Sequence, residues 1–444
     1  MDEGRDRPAR WCDAILAQGA CQDGRTPDLQ AVVVPFMKLT LTTNSCVPAD
    51  KEGGPPYASF YLAQALQREG CEARIVSTDR NGRDRLRVRL DAWTRVSGVP
   101  VFYAKTSPGA WMYSATYAEA AQHALQDSDA CIMPGIFWNY TGLAAWRACR
   151  RFNVPYFTIP HGLLSPWAMR HKGLKKALYW RMIARRIVSG SHALLASAEQ
   201  ERRDGRRAGL RLPMHVVPNG GDHLHGLDLD DPHAHDATLQ LTGGQRYVLF
   251  LGRIHEKKGL DILVPAFSEV ARRHRDVRLV IAGTIDPAYA RTFDALLGAS
   301  DVRDRIVLTG NVDGPRKAAM LRYASLFALT SYSEGLPVVA LEALAAGTPV
   351  ILTPECNLPE IVSAAAGVEV RRDPAVVARV LGDLLGDETR RQQISVNAAA
   401  LARDSFSWAS VARRVLTICA DVRRGTPVRP ASSAARAAEP EPSQ

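Results

Sequence analysis

Two glutamates, Glu334 and Glu342, stand eight residues apart in the stretch Thr330-Ser-Tyr-Ser-Glu-Gly-Leu-Pro-Val-Val-Ala-Leu-Glu-Ala-Leu-Ala-Ala-Gly-Thr-Pro-Val350. Ser331, Ser333 and Gly335 are turn-formers, and Pro337 suits the first turn of a helix, where its missing N–H would be unbonded anyway. Val338 to Ala346 is rich in helix formers, Gly347 fits a left-handed cap and Pro349 prevents continuation. The pattern predicts a loop, a helix, a stop and a strand. Helical rise would set the two carboxylates roughly 12 Å apart along the axis. Between them falls a helix N-terminus with unbonded N–H groups and partial positive charge, a natural seat for phosphate. Read alone, the same stretch is also compatible with a surface loop and a helix whose Glu342 faces water.

A second stretch supplies counter-charge. The expected strand Tyr247–Leu251 runs into Gly252-Arg253-Ile-His-Glu-Lys257-Lys258-Gly259 and then a helix. Gly252 allows close backbone approach, Arg253 can grip two oxygens through its fork and Lys258 adds a point charge, which together suit a diphosphate. A solvated basic turn is the ordinary alternative. In the first half, Gly53-Gly54 follows the opening strand, where paired glycines let a backbone approach a ligand, or simply form a loop. A strand over Pro155–Ile159 ends in Pro160-His161-Gly162. His161 there can meet a substrate hydroxyl or serve the structure.

These residues need elements to hold them. Strand and helix patterns alternate through the chain, which argues for parallel sheets with helical crossovers and ligands beyond the C-terminal strand ends. Strands are expected at Phe36–Thr42, Ala73–Ser77, Val99–Ala104, Ala130–Met133, Pro155–Ile159 and Ala193–Ala196. A second set is expected at Tyr247–Leu251, Arg278–Ala282, Arg305–Thr309, Leu326–Leu329 and Val350–Leu352. The division that follows is a mobile arm at 1–30, one α/β domain at 31–216 and a second at 217–403. A last helix at 404–424, with Trp408, Val411, Ala412, Val415 and Cys419 at helical spacing, and a disordered tail at 425–444 complete it.

Composition narrows the function. The 444 residues suit two large α/β domains, and 46% apolar content is enough for ordinary cores. No run approaches the roughly 18 apolar residues of a membrane span, and the N-terminus lacks a signal-peptide core. The eight cysteines are scattered with no C-x-x-C pair, so a reduced, cytoplasmic compartment is expected, without disulfides or zinc. A net charge of +10 points to acidic partners such as nucleotide phosphates or anionic lipid. Nucleic-acid motifs are missing, so nucleic acid is not expected. The segment 217–243 reads as a linker. It carries His223, His225, His233 and His235 with Asp222, Asp228, Asp230, Asp231 and Asp236; the two His-x-His pairs could bind a metal and Asp228-Leu-Asp230 mimics a metal-binding D-x-D, but the segment reads first as a solvated loop. No metal is expected, because Arg253 and Lys258 already supply cations for a diphosphate.

The ordered set of signatures resembles the retaining nucleotide-sugar glycosyltransferases of the GT-B fold, family 4, over about residues 36–424. It comprises Gly53-Gly54, Pro160-His-Gly162, Val217-Pro-Asn-Gly220, Gly252-Arg-x4-Lys-Gly259, Ile281-Ala-Gly283, Leu308-Thr-Gly-x-Val312, Glu334-x7-Glu342 and Gly347-Thr-Pro-Val350. The resemblance implies two Rossmann-like doubly wound domains facing a central cleft, with the last helix returning to the first domain. It implies a nucleoside diphosphate sugar as donor. Arg253, Lys258 and the N–H groups of Val338 and Val339 would take the diphosphate, and Glu342 the ribose hydroxyls. Glu334 would hold the sugar, Gly53 and Gly54 would close over the donor, and His161 would sit near the reacting centre. Retention would follow from a same-face route in which the departing phosphate oxygen takes the acceptor proton. The segment Pro160–Trp180 is similar to bacterial polysaccharide-assembly members, in which the position of His161 can be Arg. That implies a glycan or lipid-linked glycan acceptor and a role in exopolysaccharide, capsule or lipopolysaccharide assembly. The basic residues of 172–186 could touch an anionic membrane, although on a regular helical projection Lys172, Lys175, Lys176 and Arg186 group away from Arg181 and Arg185. Alternatives on the same fold are a nucleotide-sugar 2-epimerase, a disaccharide phosphorylase and a non-catalytic binder.

Overall fold

Runs such as Val248-Leu-Phe-Leu251 and Leu279-Val-Ile-Ala282 are buried along their whole length. A strand apolar on both faces belongs in a parallel sheet covered by helices on each side. The computed structural model describes residues 36–109, 111–136, 139–170, 177–223, 232–312 and 314–425. It forms two such sheets. The first uses β1 (Lys38–Thr42), β2 (Glu72–Thr78), β3 (Trp93–Val96), β4 (Val99–Ala104), β5 (Ala130–Pro134), β6 (Tyr156–Ile159), β7 (Ala193–Ala196) and β8 (Met214–Val216) in the order β8-β7-β6-β5-β1-β2-β4-β3. The second uses β9 (Arg246–Leu251), β10 (Val277–Ala282), β11 (Ile306–Gly310), β12 (Leu326–Leu329), β13 (Val350–Leu352) and β14 (Gly367–Glu369) in the order β11-β10-β9-β12-β13-β14. All neighbours pair in parallel except β3 against β4.

Every expected strand is present within two residues of its expected ends. The strands of these two sheets that were not expected, β3, β8 and β14, are short edge strands, half-exposed in β3 and β14 and therefore without a continuous apolar run. A further unexpected pair, Arg80–Asn81 against Asp84–Arg85, forms a separate antiparallel ribbon. A further difference falls in the expected linker 217–243, where α5 (Pro232–Thr242) forms. Ala234, Thr238 and Thr242 recur every fourth residue on its buried side, and the Thr238 and Thr242 hydroxyls donate back to the carbonyls of Ala234 and Thr238. His235 stacks on Tyr323 with ring centroids 4.0 Å apart, so it is not a solvated linker histidine. The arm at 1–30, the tail beyond Gly425, and Lys172, Lys175, Lys176, His225, Asp228, Asp230 and Asp231 lie outside the described residues.

The helices that matter for the site are α1 (Pro55–Arg68), α4 (Glu199–Arg207), α6 (Leu260–Arg273), α7 (Gly314–Arg322), α8 (Val338–Ala345), α9 (Glu388–Ser405) and α10 (Trp408–Arg423), with α2 (Ala115–Gln126) and α3 (Asn139–Arg151) covering the first sheet. Ser407 caps α10 by accepting the Ser410 N–H, and Trp408, Val411, Ala412, Val415 and Cys419 are buried at helical spacing. The helix lands on the first domain, with Arg413 3.2 Å from Glu69 and Arg423 2.7 Å from Asp129. It crosses back as the resemblance implies. Two contacts show the C-terminal strand ends of the sheets meeting. A Cβ on Gly162, beyond β6, would lie 2.9 Å from Gly335 Cα beyond β12, and one on Gly54, beyond β1, would lie 3.8 Å from Val338 Cγ2. Among the described residues no helix is long and apolar enough to cross a membrane.

Candidate active site

Beyond β12 the chain turns under Thr330 and Ser331, both fully buried, and delivers Glu334 with its side chain 8% exposed. Glu334 Oε1 accepts from Lys258 Nζ at 2.6 Å and from Ser331 Oγ at 2.7 Å, while Lys257 Nζ stands 3.9 Å from Oε2. Asn357, in the left-handed region, donates from Nδ2 to the carbonyls of both Glu334 and Gly335 at 2.8 Å. Burial acts to raise the Glu334 carboxyl, but the Lys258 and Lys257 ammonium groups outweigh it and hold it below the usual carboxylate range. Burial in turn pulls Lys257 below its ordinary range, with Glu334 opposing. The result is a dense cationic seat around one ionised carboxylate.

Glycine makes this packing possible. A Cβ on Gly259, whose φ is +68°, would lie 1.9 Å from the Thr330 carbonyl oxygen, so the basic loop and the Glu334 loop press backbone to backbone. Thr330 Oγ1 donates to Gly259 O at 2.7 Å, and the Tyr332 N–H to Lys257 O at 2.7 Å. Arg253 stands at the mouth of the same loop with its side chain 52% exposed and Asp286 3.9 Å away. A guanidinium so placed is open to an anionic ligand.

Glu342 does not face water. Its side chain is 2% exposed because α8 is buried almost all round, with Ala340, Leu341, Ala343 and Leu344 inaccessible. Lys317 Nζ, from α7, lies 2.5 Å from Oε1 and His223 Nε2 2.6 Å from the same atom. Oε2 is buried without a partner. Burial alone would push the carboxyl up; Lys317 first and His223 second outweigh it and bring it down to about 2. Pro337 stands as the N-cap of α8, with extended backbone, not inside its first turn. Val338 and Val339 are therefore the first helical residues, whose N–H groups a helix leaves unbonded. Gly53 (φ +79°) and Gly54 lie across from them, on the first domain.

His161 occupies the left-handed region at φ +52°, followed by Gly162 at +75°. Glu201 of α4, almost fully buried, holds this turn. It accepts the Gly162 N–H on one oxygen and the Ser197 N–H and hydroxyl on the other, at 2.6 and 2.8 Å. The contact of Gly162 with Gly335 brings the Pro-His-Gly turn against the Glu334 loop. Burial lowers the His161 imidazole to about 4, and its Nε2 is enclosed without a partner.

The structure thus gathers Glu334, Lys258, Gly53, Gly54, Val338, Val339, Glu342 and His161 around one seam, with Arg253 at its mouth. Sequence reading missed Lys257, Ser331, Lys317, His223 and Glu201. Lys257 adjoins Lys258 and Ser331 stands three residues before Glu334, both inside stretches that residue type already marks, whereas nothing in the sequence links Lys317 or His223 to Glu342. Among the described residues, no cluster of three or more His, Cys, Asp or Glu is arranged to hold a metal ion.

Comparison with known proteins matches this chain to a family. Residues 233–401 match Glycosyl transferases group 1, and residues 53–220 match the Glycosyl transferase 4-like domain. A D-inositol 3-phosphate glycosyltransferase of Xylanimonas cellulosilytica is 33% identical over 312 residues, covering 66% of this chain and 72% of that protein. The chain belongs to the group 1 glycosyl transferases. Its two sheets superpose on those of sucrose-phosphate synthase from Thermosynechococcus elongatus, with a TM-score of 0.70 and 20% identity over 88% of this chain and 100% of the other. They also superpose on Anabaena HepE, solved with UDP-glucose, with a TM-score of 0.68 and 16% identity over 87% of this chain and 100% of the other. This glycosyltransferase has the GT-B fold. The buried Glu334 and Glu342 belong to its second domain, and the His161 turn belongs to its first.

Proposed function

We propose that the chain is a retaining glycosyltransferase moving a sugar from a nucleoside diphosphate sugar to a hydroxyl of a glycan or lipid-linked glycan, in bacterial exopolysaccharide, capsule or lipopolysaccharide assembly. The observation that carries the donor reading is Glu342 Oε2, a buried carboxylate oxygen without a partner, on a carboxylate whose other oxygen is held by Lys317 and His223. Such an acceptor is costly unless a donor reaches it, and a ribose hydroxyl is the natural one. Cleaving the glycosyl–phosphate bond puts negative charge on the diphosphate and positive character on the sugar. Arg253, Lys258 and the start of α8 stabilise the first; the Glu334 carboxylate favours the second. With these cations in place no metal is required. The acceptor proton passes to the departing phosphate oxygen on the same face, which needs no protein base and suits a His161 kept neutral by burial.

The acceptor reading rests on the segment Pro160–Trp180, and the site we assign it is cytoplasmic and peripheral to the membrane. The helix over residues 177–189 contains a π-turn at Trp180–Ala184, which departs from the regular projection. Leu178 and Met182, 58% and 66% exposed, share the solvent side with Arg181 and Arg185. Apolar residues among arginines suit an anionic lipid surface. Co-sedimentation with phosphatidylglycerol vesicles, lost in Arg181→Glu/Arg185→Glu and missing with phosphatidylcholine alone, is the expected result.

The decisive experiment is a thermal-shift screen of UDP, GDP and ADP and their sugars, followed by product analysis. A ligand at a hundred times its Kd stabilises by about 2.7 kcal/mol. Transfer with the donor's anomeric configuration kept supports the proposal. Conversion of the nucleotide sugar without acceptor identifies an epimerase, strict need for inorganic phosphate a phosphorylase, and binding without turnover a non-catalytic binder. Any of these outcomes overturns it.

A further inference from the structure

The chain that leaves β8 for the second domain is threaded through a narrow gap. A Cβ on Gly220 would lie 2.5 Å from the Trp408 ring, and one on Gly221 would lie 2.4 Å from the Leu341 carbonyl. The Gly221 N–H donates to Phe406 O, and Asp222 Oδ1 accepts the Trp408 N–H, each at 2.8 Å. This threading places the His223 ring, only 6% exposed, between three elements. It stacks on Tyr61 of α1 with centroids 4.0 Å apart and planes 24° from parallel. The indole Nε1 of Trp408, in the crossing helix, lies 3.4 Å from its Nδ1.

The hydrogen placement follows from chemistry. An indole N–H can only donate, so His223 Nδ1 accepts and the ring hydrogen sits on Nε2. That is the atom 2.6 Å from Glu342 Oε1. Lys317 donates to the same oxygen, so both acceptor positions of Oε1 are taken and the buried Oε2 is left as the carboxylate's open oxygen.

We propose that His223 is a positioning residue for donor recognition: it fixes the Glu342 carboxylate so that Oε2 alone receives the ribose hydroxyls. Because the ring is held by Tyr61 from the first domain and by Trp408 from the crossing helix, this setting exists only when the two domains are joined as they are here. Ribose recognition is thereby tied to the domain arrangement through one imidazole. The inference rests on the nucleotide-sugar reading of the Glu342 site and adds to it a residue on the connecting segment.

The test is calorimetric titration of the full chain with UDP, ADP and GDP, each beside its 2′,3′-dideoxy counterpart. Wild-type protein should prefer the ribonucleotide it binds by roughly tenfold or more over the dideoxy form, the range of a hydrogen bond to a charged group. His223→Ala should bring that ratio close to unity by weakening the ribonucleotide alone, raising KM for the donor more than it lowers kcat. His223→Gln, whose amide can accept from Trp408 and donate to Glu342, should restore much of the ratio. A merely structural role would weaken both nucleotides together and leave the ratio unchanged, and that result overturns the proposal. Wild-type protein that binds none of the nucleotides overturns the donor reading itself, which is a distinguishable failure.

Discussion

Replacing Lys258 with alanine removes the nearest counter-charge of a buried carboxylate. Lys258 Nζ is 2.6 Å from Glu334 Oε1, with the two side chains 14% and 8% exposed. Breaking a buried pair from one side typically costs about 3–5 kcal/mol, because the remaining charge is left uncompensated. Lys257, still 3.9 Å from Oε2, shields part of that charge, so the lower end, about 3 kcal/mol, is expected. For a domain of this size that corresponds to a fall in Tm of about 6–12 °C. In the wild type the Glu334 carboxyl is held below its unfolded value, so the pair stabilises above a pH of about 4.3 and loses that contribution as pH falls through the folded value. Without Lys258, burial dominates and raises the folded value, so the variant loses stability as pH rises. The Tm gap between the proteins should therefore be small near pH 4.5 and widest near pH 7.5. Differential scanning calorimetry measures it. Adding Glu334→Gln to Lys258→Ala should recover most of the lost stability but none of the turnover, which Lys258→Ala lowers by about 10²-fold or more. A Tm gap of equal size at both pH values, or a double variant no more stable than the single one, refutes the electrostatic reasoning.

Three further outcomes are expected. Arg253→Ala leaves the stability within about 0.5 kcal/mol of wild type, since the side chain is half exposed, yet lowers kcat/KM by about 10²-fold or more in a donor-turnover assay. Gly259→Ala forces a Cβ to 1.9 Å from the Thr330 carbonyl at a φ of +68° and costs about 4 kcal/mol or more, whereas Gly298→Ala, whose Cβ meets nothing within 4 Å, does not destabilise; thermal melts compare them. For His161, lowered to about 4 by burial, the unfolded chain takes up a proton that the folded chain refuses between about pH 6.5 and 4. Wild type should therefore lose stability relative to His161→Gln as pH falls through that window, while the gap stays flat from pH 7 to 8.

The sequence by itself determined the two parallel sheets, because strands buried on both faces carry unbroken apolar runs that no solvated element would keep. It determined a last buried helix too, through the helical spacing of Trp408, Val411, Val415 and Cys419, although spacing did not say which domain that helix lands on. It also placed Arg253, Lys258 and Glu334 beside glycines at strand ends, where local backbone freedom and charge are readable from residue type. The half-exposed edge strands β3 and β14 and helix α5 escaped it, since their patterns are short and mixed. Only the tertiary structure decided what surrounds each carboxylate. Whether Glu342 faced water depended on α8 being packed almost all round. Its partners, Lys317 and His223, are 25 and 119 residues away in the chain and carry no local pattern that points to it. Long-range pairing of polar groups is set by how the domains close on each other, and residue type and spacing do not record it.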